Sequence, residues 1–176
     1  WIRVDSSDWV VTTPSGLFDA SPGAIDKLYF LQDLEIIQFN QLKDRYCEPG
    51  LWKKAIAGEK LREVVGFKSI DLPPDIQVSK VDSEGYLNIN LTNRGGGIGE
   101  VNVFVNGKEI IKDARDNKVK SDAPNASIKV FVGNHKSIVK GQGNFIGVKA
   151  WNKDHWVQSR GAIVSYESKE IETYKP

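Results

Sequence analysis

Hydrophobic and polar positions alternate most regularly in the middle of the chain. The valines at 101, 103 and 105 alternate with Asn102 and Phe104, a period of two that is typical of a half-buried strand. Asn106-Gly107 follows, and a second run continues from Lys108 to Ile111. Asn-Gly between two such runs favours a tight β-hairpin, because both central residues of that turn need positive φ. We therefore predict a hairpin here, with Val103 in the core.

Shorter alternating runs on both sides of this hairpin indicate further strands. Ile89 lies on the apolar face of one of them and is predicted to be a core residue. Residues 112–126 are polar and without periodicity, which predicts a long, protease-sensitive loop. About seven short strands separated by turn signals are typical of an immunoglobulin-like sandwich. The predicted strands outside the hairpin are Ile76–Val81, Tyr86–Thr92, Ser127–Val132, Phe145–Asn152 and Gly161–Tyr166.

The first seventy residues have a mixed pattern. Short strands are predicted at Ile2–Val4, Trp9–Thr13 and Leu34–Phe39. A helix is predicted from Ser21, which can serve as its N-cap, with Ile25, Leu28, Tyr29 and Gln32 on one face. Helical turns are also predicted at Gln41–Tyr46 and Leu51–Ala57, interrupted by Pro49-Gly50.

The prolines of Asp71-Leu72-Pro73-Pro74 favour an extended linker. The predicted fold class is therefore mainly β, with a small α/β segment over residues 1–70 followed by an Ig-like β-sandwich domain over residues 71–176.

Composition excludes several function classes. The 176 residues carry 24 Lys and Arg against 23 Asp and Glu, a net charge of +1, so nothing indicates a nucleic-acid or membrane partner. No apolar run approaches the roughly 20 residues of a membrane span. The single cysteine, Cys47, cannot form an intrachain disulfide and favours a cytoplasmic location. The chain starts at Trp1 and lacks methionine, so we expect a piece of a longer polypeptide.

Three patterns could carry chemistry, and each has a structural interpretation that we favour. Cys47 with His135 or His155 could pair a nucleophile with a base, but the surrounding sequence predicts a structural thiol. The glycines of 95–99 could hold a phosphate, but a strand follows where a phosphate loop needs a helix, so a tight turn is favoured. The two histidines and Cys47 do not have the spacing of zinc ligands. Asp113, Asp116 and Asp122 match a calcium-binding loop poorly. We expect no catalytic, cofactor-binding or metal-binding residues and no cofactor.

Three aromatic residues form the candidate interaction surface: Phe104, Trp151 and Trp156. Alternation predicts that Phe104 and Trp151 point outward from the same sheet. Such residues can dock another domain or stack on sugar rings, and we favour docking. We predict that Phe104 and Trp151 are covered by residues 1–70 or by a neighbouring domain.

Two stretches resemble a known family. Trp9–Ala20 and Tyr46-Cys47-Glu48-Pro49-Gly50-Leu51 resemble the segment that follows the β-propeller in bacterial WD-repeat proteins, and Asn93–Lys108 with Phe145–Trp156 resembles the Ig-like module after it. In that family a caspase-like peptidase domain often lies nearby. The resemblance implies a non-catalytic structural or protein-interaction module that positions these neighbours, its partners being domains of the same polypeptide or other proteins. A carbohydrate-binding module is the alternative.

Overall fold

The computed structural model of this protein describes residues 1–32, 34–66 and 70–168. The chain divides into two compact units, Trp1–Ile70 and Asp71–Pro176. Both units contain antiparallel sheets, and the fold is mainly β. Positions 169–176 of the predicted second domain lie outside the described residues.

The first unit opens with a three-stranded antiparallel sheet. Its strands are β1 (Ile2–Arg3), β2 (Trp9–Thr12) and β3 (Phe18–Ala20), in that order. The β1–β2 turn is held by the Asp5 carboxylate, which accepts hydrogen bonds from the backbone N–H groups of Ser7 and Asp8 at 2.9 Å each. Asp5 therefore supplies the acceptors that a short, exposed turn lacks.

The first helix begins at the predicted position and ends several residues before the predicted Gln32. Helix α1 (Pro22–Lys27) has Ser21 as its N-cap, and the serine side chain accepts from the Ala24 N–H. The predicted continuation of its face to Gln32 is wrong. The chain becomes extended at Leu28, and β4 (Tyr29–Gln32) pairs antiparallel with β5 (Glu35–Gln38). The β-favouring residues of Tyr29–Leu31 have a strand partner nearby, which outweighs the helical spacing.

Two short helices complete the first unit. Helices α2 (Phe39–Tyr46) and α3 (Leu51–Ile56) are separated at Pro49-Gly50, as predicted, and Gly50 adopts φ 74°. Tyr46 is fully buried at the end of α2, and its hydroxyl donates a 2.8 Å hydrogen bond to the Val65 carbonyl. Among the described residues, no helix has the length and apolar character needed to cross a membrane.

The described residues of the second unit, 71–168, form seven strands in two antiparallel sheets. One sheet has the order β10-β7-β6 and the other β12-β11-β8-β9. This is the A-B-E and C-F-G division of an immunoglobulin-like sandwich, with an added strand beside C. The strands are β6 (Asp75–Val78), β7 (Tyr86–Thr92), β8 (Val101–Val105), β9 (Lys108–Ile111), β10 (Asn125–Phe131), β11 (Gly143–Ala150) and β12 (Ala162–Glu167).

The apolar faces of the two sheets form one core. Ile89 of β7 and Val103 of β8 are fully buried, which confirms both predicted core residues. Ile128 and Val130 of β10 join the same cluster from the edge of the smaller sheet. Asn102 corrects the simple alternation, because it is buried although it points to the other face. Its amide donates to the Lys112 carbonyl at 2.8 Å, which satisfies the buried side chain.

The predicted central hairpin is confirmed. Asn106 and Gly107 have φ values of 51° and 81°, and both are positive, as a tight Asn-Gly turn requires. The Asn106 amide also donates to the Asn144 side chain at 2.9 Å, and its oxygen accepts from the Phe145 N–H at 2.9 Å. A β-bulge between Val103 and Phe104 shifts the pairing of β8 with β9.

The glycine-rich loop before β8 lies against other backbone segments. A Cβ atom on Gly96 would come within 2.2 Å of the Leu72 carbonyl oxygen, and one on Gly99 within 2.3 Å of the Asn152 carbonyl oxygen. Asn93 organises the loop, because its side-chain oxygen accepts from the N–H groups of Gly95 and Gly97, at 2.9 Å each. The glycines therefore permit close backbone packing, in agreement with the structural interpretation.

The long loop before β10 is two residues shorter than predicted, because Asn125 and Ala126 already belong to β10. It is bonded to the sandwich near both ends. The Ala114 N–H donates to the Val101 carbonyl at 2.8 Å, and Arg115 donates to the Ile98 carbonyl at 2.9 Å. Near the other end, the Ile98 N–H donates to the Ser121 carbonyl at 2.8 Å. The loop is thus part of the packing around the glycines.

Replacing Gly99 by alanine should destabilise the protein. The new methyl group would meet the carbonyl oxygens of both Asn152 and Trp151, and overpacking of this kind costs about 1–3 kcal/mol. Gly143→Ala is the control, since nothing lies within 4 Å of a Cβ there. Thermal unfolding should show a lower Tm for Gly99→Ala than for the control. Equal Tm values would contradict the role assigned to the glycine loop.

Stability should fall at alkaline pH through Tyr46. Burial raises the pKa of this phenol from 10.0 to about 12. A folded-state pKa above the unfolded value gives stability below pH 10 that is lost as the pH rises toward 12. Tyr46→Phe should remove this loss and lower stability by about 1 kcal/mol at neutral pH through the missing hydrogen bond. Denaturant melts across this range, with exposed Tyr29→Phe as the control, test both effects.

Candidate interaction surface

Phe104 lies on the outer face of the four-stranded sheet. In the register between β8 and β11, Val103 is opposite Val148 and Phe104 is opposite Gly147. Residues opposite each other share a face, and Val103 and Val148 face the core. Phe104 therefore faces outward, as predicted, and is half-buried.

A shallow apolar depression surrounds Gly147 on this face. Phe145 lies two positions before the glycine on β11, and Ile163 lies opposite it on β12. Both are exposed, Phe145 at 63% and Ile163 at 73%. Together with Phe104, they line a depression of about 270 Å³. We call this set, Phe104, Phe145, Gly147 and Ile163, the outer-face depression. Sequence alternation was the available signal for Phe145, because residues 145, 147 and 149 are two positions apart on one strand and so lie on the same face.

The charged residues that line the depression are both cations. Lys149 follows Gly147 by two positions on β11, and Arg160 lies just before β12. Gly161 follows Arg160, and a Cβ on this glycine would come within 2.9 Å of the Lys149 side chain and 2.7 Å of the Val148 carbonyl oxygen. The lining of the apolar depression therefore carries two positive charges.

Trp151 does not join Phe104 in an exposed surface, and its covering by residues 1–70 or by a neighbouring domain stays a prediction. Strand β11 ends at Ala150, and Trp151 begins a closed loop whose first contact is a β-bridge to Gln158. The indole stacks on His155, with ring centroids 5.8 Å apart and planes 17° apart, and Trp151 is 8% exposed. Because the strand ends before Trp151, the indole packs within the loop.

Trp156 belongs to the same loop and is half-buried. Its N–H donates to the side-chain oxygen of Asn152 at 2.8 Å, and the Asn152 amide donates to the Asp71 carbonyl at 2.9 Å. The buried asparagine thus holds the loop and the start of the unit together. Of the three predicted surface residues, Phe104 is the one that lies in the outer-face depression.

A second apolar surface lies on the first unit, and sequence analysis missed it. Trp52 and Ile56 of α3 are 47% and 77% exposed, and Trp1 is 75% exposed. With Trp9, Val11 and Ala55 they line an open groove of about 610 Å³. We call this set of six residues the tryptophan face. The i, i+4 spacing of Trp52 and Ile56 was the available signal.

Cys47 follows α2 as its C-cap residue. It forms a β-bridge with Phe18 and is half-buried. Burial raises the pKa of the thiol, and the Asp19 carboxylate adds to this effect. A raised pKa lowers the thiolate fraction, which is opposite to the activation that a nucleophilic cysteine needs.

The histidines and the acidic residues singled out in the sequence have other partners or separate positions in the described structure. His135 accepts a hydrogen bond from the Ser137 N–H at 3.1 Å. Asp113 pairs with Arg115 at 2.8 Å, and although burial opposes its charge, the Arg115 hydrogen bonds lower its pKa. Asp116 pairs with Lys118. In the part of the chain that the structure describes, no group of three or more His, Cys, Asp or Glu residues could hold a metal ion.

Cys47 should react slowly with thiol reagents. Because its pKa is raised, alkylation by iodoacetamide at about pH 8 should be slower than that of free cysteine. Unfolding the protein in urea should restore the rate of the free amino acid. Labelling of the folded protein faster than free cysteine would indicate an activated thiolate and would contradict the structural assignment.

Comparisons with known proteins give little. No family model matches the chain, and no curated protein matches it. Among solved structures, the Clostridium perfringens spore cortex lytic enzyme SleM matches over 57% of this chain and 30% of that chain, at 20% identity and a TM-score of 0.32. The Yersinia enterocolitica family 28 exopolygalacturonase matches over 56% of this chain and 21% of that chain, at 18% identity and a TM-score of 0.32. This chain thus matches under a third of either structure.

Proposed function

We propose that this chain is a non-catalytic structural or protein-interaction module of a larger multidomain protein, in which it positions neighbouring domains. The neighbours are those that the sequence resemblance implies, a WD-repeat propeller and a caspase-like domain. Any peptidase activity then belongs to the neighbouring domain. The tryptophan face is the observation that carries this proposal.

Exposed tryptophans in one groove are unusual on a surface without a partner. Trp1, Trp52 and Ile56 together present large apolar side chains to solvent, and contiguous surfaces of this kind mark contact sites. Tryptophan is also among the residues that contribute most to binding energy at protein interfaces. The tryptophan face therefore supports an interaction role.

The resemblance supports a domain of the same polypeptide as the occupant. Strand β2 contributes Trp9 and Val11 to the tryptophan face. The same strand opens the stretch Trp9–Ala20, which resembles the segment directly following a propeller. A surface built on that stretch is the natural contact for the preceding domain.

Side-chain footprinting of the longer polypeptide tests this proposal. Hydroxyl radicals should label Trp52 and Ile56 readily in this chain alone and several-fold less when the adjacent domains are present. Trp52→Ser should restore the labelling of Ile56 in the longer polypeptide, because hot-spot residues carry about 2 kcal/mol or more of an interface. Leu34, which is 98% exposed on the β4–β5 hairpin, is the control site and should be labelled equally in both.

Two results would contradict the proposal. The first is equal labelling of Trp52 and Ile56 with and without the adjacent domains. The second is hydrolysis of peptide or ester substrates by this chain that Cys47→Ala abolishes. The Tm of Trp52→Ser is measured on the isolated chain, because the indole is about half buried, and the labelling result counts at temperatures at which this variant is folded.

The alternative is a carbohydrate-binding module that uses the aromatic residues of the second unit to stack on sugar rings. Trp156 and Phe104 are half-buried candidates for such stacking. Trp151 is 8% exposed and is already stacked on His155, so its face is occupied. A glycan array with this chain tests the alternative directly.

A further inference from the structure

The outer-face depression has a glycine floor that the fold itself does not require. Gly147 lies inside β11, where glycine is less stable than alanine by about 0.5–1 kcal/mol. It is not among the glycines with positive φ. A Cβ atom would lie 3.7 Å from the Phe104 Cβ and 4.0 Å from the Ile163 side chain, which are ordinary contacts. Neither backbone conformation nor crowding therefore explains this glycine.

Other glycines of the second unit show the contrast. Gly99 and Gly161 would each place a Cβ within 3 Å of a carbonyl oxygen, so the packing of the unit requires them. Gly147 instead removes a side chain from the outward face of an inner strand, between Phe104 and Ile163. Glycine inside a strand often marks a place where another group approaches closely.

The size of the depression suits a single side chain. Its volume of about 270 Å³ is below the roughly 300–1,000 Å³ of pockets for drug-sized ligands. The walls are apolar and two of them, Phe145 and Ile163, are exposed. A shallow apolar hole with exposed rims is the form that receives an anchor residue at a protein interface.

The positive charges that line the depression favour an acidic residue in the partner, next to its anchor side chain. Lys149 and Arg160 are the charged residues of the lining, and no lining residue is acidic. Arg160 also interacts within the chain, so Lys149 is the first contact for an incoming carboxylate. Glu109, opposite Phe104 on β9, has its carboxylate 3.4 Å from the Asn102 amide.

We propose that the outer-face depression binds a segment of another protein that inserts one leucine- or phenylalanine-sized side chain against Gly147 and places an acidic residue beside Lys149. This inference rests on the proposed interaction role and adds to it a second site, on the other unit, together with the chemistry of its partner.

The probe is a set of end-blocked hexapeptides, each with one leucine flanked by aspartates, by asparagines or by lysines. Amide chemical shifts of the whole chain report binding. The aspartate peptide should shift the amides of Phe104, Gly147 and Ile163, and the lysine peptide should not. Raising the ionic strength from about 0.05 to 0.5 M should weaken binding of the aspartate peptide, because salt screens an exposed ion pair.

Variants separate the apolar hole from the charge. Gly147→Leu should fill the depression and lower the affinity for the aspartate peptide at least about tenfold. Gly147→Ala should lower this affinity less. Lys149→Gln should weaken it about two- to fivefold, as expected for a surface ion pair, and leave the asparagine peptide unchanged. Ser127→Leu, on the exposed face of the other sheet, is the matched control and should bind normally. Ile163→Ser keeps the test valid if Gly147→Leu does not fold.

Several outcomes would overturn the inference. They are the absence of shifts at the depression with every peptide, equal binding of the lysine and aspartate peptides, and unchanged binding by Gly147→Leu and Ile163→Ser. Concentration-dependent self-association that Gly147→Leu abolishes would identify a second copy as the occupant and would also overturn it. If the peptides fail while footprinting still protects the tryptophan face, the proposed function stands and this inference alone is wrong.

Discussion

Close contact between backbone segments at the glycine-rich loop holds the second unit together. The start of the unit, the long loop before β10 and the loop after β11 all reach residues 95–99, at distances that a Cβ would prevent. Leu72, Ser121 and Asn152 each place a carbonyl oxygen where a side chain on a loop glycine would be. Hydrogen bonds then replace the side-chain packing that glycines lack, with the Ile98 N–H donating to Ser121 and the Gly99 N–H to Trp151 at 2.8 Å each. Buried backbone groups at this junction thus have partners.

This junction also determines which aromatic residues reach the surface. The chain after β11 is drawn toward the glycine loop by the Lys153 N–H, which donates to the Gly96 carbonyl at 2.8 Å. Trp151 therefore enters a closed loop and stacks on His155. Phe104 and Phe145 lie farther along the sheet and stay on its outer face. The contact that orders one end of the sandwich leaves the middle of the sheet free to interact.

Sequence periodicity predicted the sandwich well, because its strands are half-buried and each turn has its own chemistry. Asn106-Gly107 and the alternating valines define one hairpin almost without tertiary information. The first unit was harder, because Tyr29 to Gln32 fit both a helical face and a strand, and only the neighbouring β5 decides between them. Alternation alone does not describe the surroundings of Trp151, because β11 ends at Ala150 and the tryptophan enters a loop closed by its bridge to Gln158. The tryptophan face was missed because its members come from two separate elements, β2 and α3, and from Trp1.

The two apolar surfaces differ in what the fold gains from them. Trp9 and Val11 of the tryptophan face also pack against the small core around Leu17 and Leu51, so part of that surface stabilises the first unit in addition to any partner. Gly147 contributes no side-chain packing and is less favourable in a strand than alanine. The proposed anchor site accounts for Gly147, because the incoming side chain would use the space that a side chain at 147 would fill. The tryptophan face supports an interaction role through its exposed apolar side chains, and the smaller outer-face depression adds a site whose partner chemistry can be stated.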